Sequence, residues 1–278
     1  MATPRTARPG MLLDPSASIN SGLVGFWPMW EGAGGKTLDI SGGNNHGTLT
    51  NDPLWSGGGL KFDGTNDYLN CGTMGAFGSQ IKNSSFFCVF RNPGTAIAAL
   101  SGTFNTGTTT GVQFSVNSDQ AVANVAGKFL GFVRDTAGNI LRFANTTAVS
   151  PNDGEWHTLT IIFGITATTG AIIYDGQSLP LTYNNTGTVG ASANFGFPLT
   201  LGARNLRGTI DLFFPGSIAT ARLWNRTLKI EDGLRLHQNP NIGLWTPDYT
   251  RYYIPAAGGF QPAWAANSNV LLGGGMAL

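Results

Sequence analysis

The sequence has little charge, little cysteine and few of the residues that acid–base and metal sites use. Charged side chains make up 11% of the 278 residues, against about 25% in typical soluble proteins. The 16 basic and 15 acidic residues nearly balance, which argues against nucleic acid as a partner because phosphate binding needs clustered Lys and Arg. The chain contains only three histidines and three glutamates.

Long apolar runs are also missing. No run of 18 apolar residues occurs, so the sequence predicts no transmembrane helix and no membrane insertion. Residues 1–10 carry Arg5 and Arg8 but lack the apolar core of a secretory signal. We expect either that a signal was trimmed or that the protein reaches its destination without one. Cys71 and Cys88 could pair or stay free, and no zinc-type spacing is present.

Glycine, threonine and asparagine are abundant, at 40, 30 and 23 residues. They divide the chain into short apolar runs, which is typical of antiparallel sandwiches and barrels. About thirteen short strands are predicted between residues 23 and 224, enough for two stacked sheets. Turns are predicted at 63–67, 137–139 and 175–176, where Gly, Asn and Asp supply positive φ angles. One helix is predicted, at 230–237, where apolar residues recur at helical spacing.

The chain divides into three predicted parts. Residues 1–20 form an irregular N-terminal arm, residues 21–237 form the β-sandwich, and residues 238–278 form an extended aromatic and Gly-rich tail. The tail is too aromatic to leave in water at low cost. It should therefore lie on the domain's own surface or on a partner. The aromatic residues predicted to bind a partner are Trp245, Tyr249, Tyr252, Tyr253, Phe260 and Trp264.

Six segments in chain order carry recognisable motifs, and they are GLVGFWPMWEG (22–32), DISGGNNHGTL (39–49), LKFDGTNDYL (60–69), GEWHTL (154–159), IYDG (173–176) and FPGSIATARLWNRTL (214–228). Together they resemble the laminin-G-like domains of the concanavalin A-like superfamily. The resemblance implies a jelly-roll sandwich of two antiparallel sheets, and such domains usually bind carbohydrate or protein, sometimes with calcium. The tail from Asn239 to Gly275 has a looser resemblance, to C-termini of laminin-G-like proteins encoded by bacteriophages and related bacterial genomes.

The resemblance also bears on catalysis and on calcium. Glycosidases on this fold pair carboxylates about 5–5.5 Å apart, but here the glutamates are far apart and none opens an E-x-D pattern, so we predict no enzymatic activity. The 39–45 loop offers hard oxygen ligands, and Asp39 and Asn44 are the predicted calcium ligands. The alternative is that these residues only make the turn. Ala219 and Thr220 stand where the family carries acids, which weakens a calcium site that uses those acids.

Carbohydrate binding needs exposed aromatic rings beside polar amides. Three loops combine both, near Phe104, near Tyr183 and near Phe197. The alternative is that these aromatic residues belong to the core. The predicted glycan-binding residues are Tyr183, Asn184, Asn185 and Phe197.

We therefore predict a non-enzymatic structural or decoration protein on the surface of a phage particle. Its partners would be other virion proteins or copies of itself, with its loops free to bind cell-surface glycans through many weak contacts. A secreted, extracellular bacterial lectin-like module that depends on calcium is the alternative. A divergent glycan hydrolase is a third reading, which the scarcity of glutamate opposes.

Overall fold

Short strands and turns dominate the part of the chain that the computed structural model describes, which is residues 11–78, 81–104, 110–119, 121, 123–166, 168–190 and 197–245. Each predicted strand overlaps an observed one, and the predicted helix is present. The helices are α1 (Gly75–Gly78) and α2 (Ile230–Gln238), with 3-10 turns at Ser18–Asn20 and Ile81–Asn83. The strands are β1 (Leu12–Leu13), β2 (Leu23–Trp27), β3 (Lys36–Thr37), β4 (Gly47–Thr50), β5 (Leu54–Ser56), β6 (Gly59–Lys61), β7 (Tyr68–Asn70), β8 (Ser85–Arg91), β9 (Ala98–Phe104), β10 (Gly111–Ser118), β11 (Asn124–Arg134), β12 (Ile140–Asn145), β13 (Trp156–Thr166), β14 (Thr169–Tyr174), β15 (Gln177–Ser178), β16 (Leu181–Tyr183), β17 (Thr200–Leu201), β18 (Arg204–Leu206), β19 (Thr209–Asp211), β20 (Ser217–Trp224) and β21 (Leu244–Trp245).

Two large sheets contain nearly all of these strands, as the two-sheet prediction requires. Among the described residues, the larger sheet has the order β16-β12-β11-β10-β9-β17-β7-β4-β3, with the β18–β19 hairpin attached to β9. The smaller sheet has the order β15-β14-β13-β8-β20-β6-β5, with β2 beside β20. Neighbouring strands are antiparallel, except that β18 runs parallel to β9. The fold is the predicted all-β jelly-roll sandwich.

Aromatic rings fill the space between the two sheets. Phe86 of the smaller sheet stacks on Phe114 of the larger one, with ring centroids 4.6 Å apart. Phe90 meets Phe129 edge to face at 6.2 Å. These contacts follow from strand alternation, which turns every second side chain of β8 and β10 inward. The other set of side chains on β10 and β11 is therefore free to form an outer surface.

The turn predictions hold, with one difference in what a turn connects. Asp175 and Gly176 have φ of 45° and 75° and close the β14–β15 hairpin. The 63–67 turn does not close a hairpin, because β6 and β7, which it connects, belong to different sheets. The Asp63 carboxylate accepts the backbone N–H groups of residues 65–67 and holds this connection.

Helix α2 covers the outer face of the smaller sheet. Its Leu236 is fully buried with Phe87, Val89 and Trp224 in a second apolar cluster. The helix lies so close to the sheet that a Cβ at Gly233 would be 2.3 Å from the Ile173 side chain, so glycine favours this close packing despite its poor helix propensity. The helix therefore buries the part of the sheet beneath it.

Residues 11–20 were predicted to be irregular, but they contain a strand and a 3-10 turn. Strand β1 pairs with β21 near the other end of the described chain. The Asn20 side chain donates to the carbonyl oxygens of Asp14 and Gly243, at 2.7 and 2.8 Å. The Trp224 indole donates to the Ile19 carbonyl oxygen at 2.7 Å. A two-residue strand is too short to give a periodic pattern, which is why the sequence did not predict it.

A buried arginine attaches residues 239–243 to the smaller sheet. Arg222 of β20 is fully buried and donates to the carbonyl oxygens of Ile242 and Pro240, at 2.7 and 2.6 Å. Its guanidinium carbon lies 3.8 Å from the centroid of the Phe26 ring. Burial lowers the pKa of Arg222 to about 9, so it remains a cation at neutral pH. We call residues 239–243 together with Arg222 the terminal clamp.

Candidate functional site

A row of polar and aromatic side chains crosses the outer face of the larger sheet. Gln113 of β10 pairs with Phe132 of β11, and Phe132 pairs with Arg142 of β12. The Asn184 N–H donates to the Arg142 carbonyl oxygen at 2.9 Å and extends the row by one position. Paired residues on neighbouring strands share a face, so these four side chains lie opposite the core.

Two phenylalanine rings form an aromatic platform on this face. The ring centroids of Phe104 and Phe132 are 5.5 Å apart. They can approach because Gly111 has no side chain, and a Cβ there would be 2.2 Å from the Phe104 ring. Phe104 is nearly buried, whereas Phe132 is partly exposed. Phe132 is therefore the ring that a ligand would reach.

Two arginines flank the platform without partners of their own. The Arg142 guanidinium lies 5.8 Å from the Phe132 ring centroid, and Arg134 follows Phe132 on the same face of β11. The Nε atoms of both arginines are buried and have no hydrogen-bond partner among the residues that the structure describes. Within the described residues, neither guanidinium forms an ion pair. We call Phe104, Phe132, Arg134, Arg142 and Asn184 the Phe132 surface.

A third arginine on this face is already neutralised. Arg204 of β18 forms two bonds with the Asp211 carboxylate, at 2.6 and 2.8 Å, and donates to Gln113 at 3.0 Å. The Asp211 carboxylate satisfies the Arg204 guanidinium through two hydrogen bonds, whereas Arg134 and Arg142 have no such carboxylate partner among the described residues. Burial lowers the pKa of Arg142, and the nearby charge of Asp119 acts against that shift.

The predicted glycan-binding residues fall around this surface in different ways. Asn184 is exposed beside Arg142, while the Asn185 side chain is used to accept from the Arg142 N–H and to donate to Thr168. Tyr183 lies against Phe143 on the core side and donates to the Gly170 carbonyl oxygen. Phe197 lies beyond the other side of the platform, where its carbonyl oxygen accepts from Thr103. The structure therefore brings Asn184 to the surface and places Tyr183 on the other face.

The predicted calcium loop is held together by its own backbone. The Asp39 carboxylate accepts the N–H groups of Phe26, Ser41 and Asn45, each at 2.9 Å. Asn44 is exposed with φ of 56°. These bonds agree with the turn-forming alternative, and the described part of the chain holds no group of three His, Cys, Asp or Glu side chains that could bind a metal ion. Calcium at Asp39 and Asn44 stays a prediction.

Replacing Asp39 with alanine is expected to lower the free energy of unfolding by about 2–4 kcal/mol. The change leaves the backbone N–H groups of Phe26, Ser41 and Asn45 without the carboxylate that accepts them. The N–H of Phe26 lies in buried strand β2, and an unsatisfied buried donor destabilises the fold. Urea unfolding in calcium and in chelator measures it. Equal losses in both conditions support the turn-forming role, whereas a midpoint that rises with calcium only in the wild-type chain supports an ion at this loop.

A histidine between two carboxylates forms a cluster that the sequence did not predict. The Nδ1 of His157 is 2.7 Å from Asp175, and its Nε2 is 2.9 Å from Asp153. The Tyr174 hydroxyl lies 2.8 Å from the same Nδ1. Burial disfavours the imidazolium, but the hydrogen bonds and charges of both carboxylates outweigh burial and raise the pKa of His157. Burial acts to raise the pKa of Asp153, but its hydrogen bonds with His157 and with the backbone N–H of Glu155 outweigh burial and lower that pKa.

These pKa shifts predict that the protein is more stable at pH 5.5 than at pH 8.5. A raised histidine pKa stabilises the fold fully below the unfolded value of about 6.5, and this contribution is lost as pH rises through the folded pKa. The Asp153 contribution is present above about pH 4 and is lost on acidification. Urea midpoints across pH 4–9 test this, with His157→Gln as the control. A His157→Gln variant that keeps the full pH dependence would contradict the assignment.

A cavity of about 500 Å³ lies between residues 18–21 and α2. It is lined by charges of both signs, and Arg226 lies 4.0 Å from Asp232 across it. Such a mixed lining does not select one class of ligand. The Phe132 surface, where two arginines outnumber the one nearby carboxylate of Asp119, is the better candidate.

The remaining predicted residues are the two cysteines and the aromatic residues of the tail, most of which lie outside the described chain. Cys71 and Cys88 are both buried and free, and burial raises the pKa of each thiol. Trp245 lies in β21, paired with Leu12, and is 39% exposed. No helix among the described residues has the length and apolarity needed to cross a bilayer. The other predicted partner-binding aromatics, Tyr249, Tyr252, Tyr253, Phe260 and Trp264, lie outside the described residues.

The two packed antiparallel sheets define a lectin-type jelly-roll sandwich. The chain belongs to the concanavalin A-like lectin/glucanases superfamily, whose laminin-G sequence model matches residues 63–232, more than half of the chain. This confirms the family resemblance. No curated protein sequence matches the chain.

Solved structures with this fold include binding domains of two clostridial-type toxins. The receptor binding domain of botulinum neurotoxin D is 12% identical, with a TM-score of 0.56 over 81% of this chain and 54% of that one. The binding domain of Paraclostridial Mosquitocidal Protein 1 is 10% identical, with a TM-score of 0.51 over 79% and 52%. A Trypanosoma rangeli sialidase is 16% identical, with a TM-score of 0.50 over 80% and 34%. The chain spans about half the length of the toxin domains, and the likeness is one of fold.

Proposed function

We propose that this chain is a non-enzymatic carbohydrate-binding module displayed on the surface of a phage particle. One observation carries the binding role. The Phe132 surface sets a partly exposed aromatic ring beside an exposed amide and two unpaired guanidiniums on one face of a rigid sheet.

This arrangement matches the chemistry of a sugar. One face of a pyranose ring is made of C–H groups, and this face gains from packing against an aromatic ring. Its hydroxyl groups need donors and acceptors at the rim, which Asn184 and the arginines supply. A sheet holds these groups in fixed positions, so little conformational entropy is lost on binding.

Several features favour binding over catalysis. The similar structures of botulinum neurotoxin D and of Paraclostridial Mosquitocidal Protein 1 are binding domains. On the Phe132 surface, Asp119 accepts the N–H groups of Ala121 and Ala123, and Asp211 is paired with Arg204. Neither carboxylate is therefore free for acid–base chemistry at the platform.

The proposed location on a phage particle rests on the resemblance of the tail to C-termini of phage-encoded proteins. A particle would also carry many copies of the chain, which would make weak glycan contacts effective. The partners would be other virion proteins or copies of this chain. Mass spectrometry of particles purified from the strain that encodes the gene tests this. The chain should copurify with capsid and tail proteins through a density gradient. Its recovery only in the particle-free supernatant would favour a secreted lectin instead.

A glycan array with the purified full chain tests the binding role, once in calcium and once in chelator. We expect binding to a defined set of glycans in both conditions, because the Phe132 surface needs no metal. Glycans should also be recovered uncleaved. Binding that chelator abolishes would favour the calcium loop at Asp39, and no binding to a broad array would contradict the proposed function.

A further inference from the structure

The Phe132 surface contains two arginines whose Nε donors are unsatisfied. The Nε atoms of Arg134 and Arg142 are shielded from solvent and have no acceptor within the described residues. A buried donor without a partner costs free energy. The rest of each side chain is partly exposed, and within the described residues neither guanidinium forms an ion pair, so a ligand that supplies acceptors to the terminal nitrogens would satisfy donors that the chain leaves free.

The local charge favours an anion as that ligand. Asp211 neutralises Arg204, and Asp119 is the carboxylate whose charge acts on Arg142. The Asp119 Oδ1 is already used by two loop N–H groups. Two free guanidiniums therefore face one engaged carboxylate, which leaves the surface positive in a protein that otherwise has few charges.

The planar shape of the guanidinium group further restricts the class of ligand. Arginine binds planar carboxylate and sulfate-type oxygens through two parallel N–H bonds, which a neutral hydroxyl cannot match. Arg142 is oriented by its position over the Phe132 ring. A saccharide ring on Phe132 would thus carry an acidic substituent toward Arg142 and Arg134.

We propose that the Phe132 surface binds acidic saccharides, which carry a carboxylate or a sulfate, in preference to their neutral counterparts. This inference rests on the proposed carbohydrate-binding function and names its ligand class. Asn184 would bond the ring hydroxyls, and the two arginines would bond the acidic group.

Matched glycan pairs test the preference by calorimetry on the full chain. The pairs are sialyllactose with lactose and 3-sulfogalactose with galactose, and inorganic sulfate serves as a charge-only probe. We expect the acidic member of at least one pair to bind about tenfold more tightly or better, with affinity falling as salt rises. The two pairs separate carboxylate from sulfate recognition. Sulfate alone should bind far more weakly, since it lacks the ring that packs on Phe132.

Variants that remove a charge test which residues bind the acidic group of the saccharide. Arg142→Gln and Arg134→Gln should each weaken acidic ligands about tenfold or more, with little effect on neutral ones. Asp119→Asn keeps the loop acceptor and should tighten acidic ligands. Arg235→Gln is the matched control, because Arg235 is exposed on α2 over the other sheet.

The outcomes separate this inference from the proposed function. Equal binding of acidic and neutral sugars, lost on Phe132→Ala, would overturn the acidic preference and leave the carbohydrate function standing. Acidic binding that is unchanged in both arginine variants would also overturn the inference. No binding of any sugar would overturn both. Circular dichroism and urea midpoints confirm that each variant is folded.

Discussion

Replacing Arg222 with alanine is expected to lower the free energy of unfolding by about 3–5 kcal/mol. The guanidinium fills a fully buried position against Phe26 and holds the carbonyl oxygens of Pro240 and Ile242. Alanine leaves a cavity and removes the donors of two part-buried carbonyl oxygens. The terminal clamp should then open and expose the apolar cluster around Trp224. Urea unfolding and hydrogen exchange of residues 239–243 measure the two effects.

Arg222→Met separates packing from hydrogen bonding. Methionine keeps most of the side-chain length and removes the desolvated charge, so its loss should be clearly smaller than that of alanine. Arg235→Ala, at an exposed position of α2, should change stability by less than about 0.5 kcal/mol. An Arg222→Ala variant as stable as the wild-type protein would show that the clamp contributes nothing.

Replacing Phe132 with alanine is expected to weaken glycan binding about 10–100-fold, the loss typical of a central aromatic residue in a binding site. The ring supplies the apolar area on which a sugar packs and also orients Arg142. Phe132 points away from the core and is partly exposed. The substitution should therefore leave the fold intact, and titration calorimetry measures the change in affinity.

Tyr183→Ala is the matched control for this prediction. Tyr183 is 41% exposed and aromatic, and the sequence favoured it as a glycan contact. Its ring lies against Phe143 on the opposite face of the larger sheet. Its removal should leave affinity within about twofold, a change of less than about 0.5 kcal/mol. A larger loss with Tyr183→Ala than with Phe132→Ala would move the site to the β16 edge.

The longer strands could be predicted from the sequence, because apolar residues mark them and Gly, Asn and Asp mark many of the turns between them, whereas two-residue strands such as β1 and β3 could not. The binding surface could be predicted only in part. Asn184 was found as a polar residue near an aromatic one, but Phe132 lies in the nearly continuous apolar run of β11, where alternation does not separate the two faces. Arg142, between Leu141 and Phe143, was the available signal of an outward position.

The long-range contacts could not be read from local patterns. Pairing of β10, β11, β12 and β16 brings residues up to 71 positions apart into one row, and only the register fixes which side chains are neighbours. The same holds for the terminal clamp, where Arg222 reaches carbonyl oxygens that no sequence motif identifies. The His157 cluster likewise depends on Asp175 lying across the β13–β14 pair.

A crystal structure of the full chain with its best array ligand is the most direct test of the central claim. The account predicts a sugar ring packed on Phe132, with Asn184 at its hydroxyls and an acidic group within hydrogen-bond distance of Arg142. Density for the sugar at the Asp39–Asn44 loop or along the β16 edge, with the Phe132 surface empty, would contradict it.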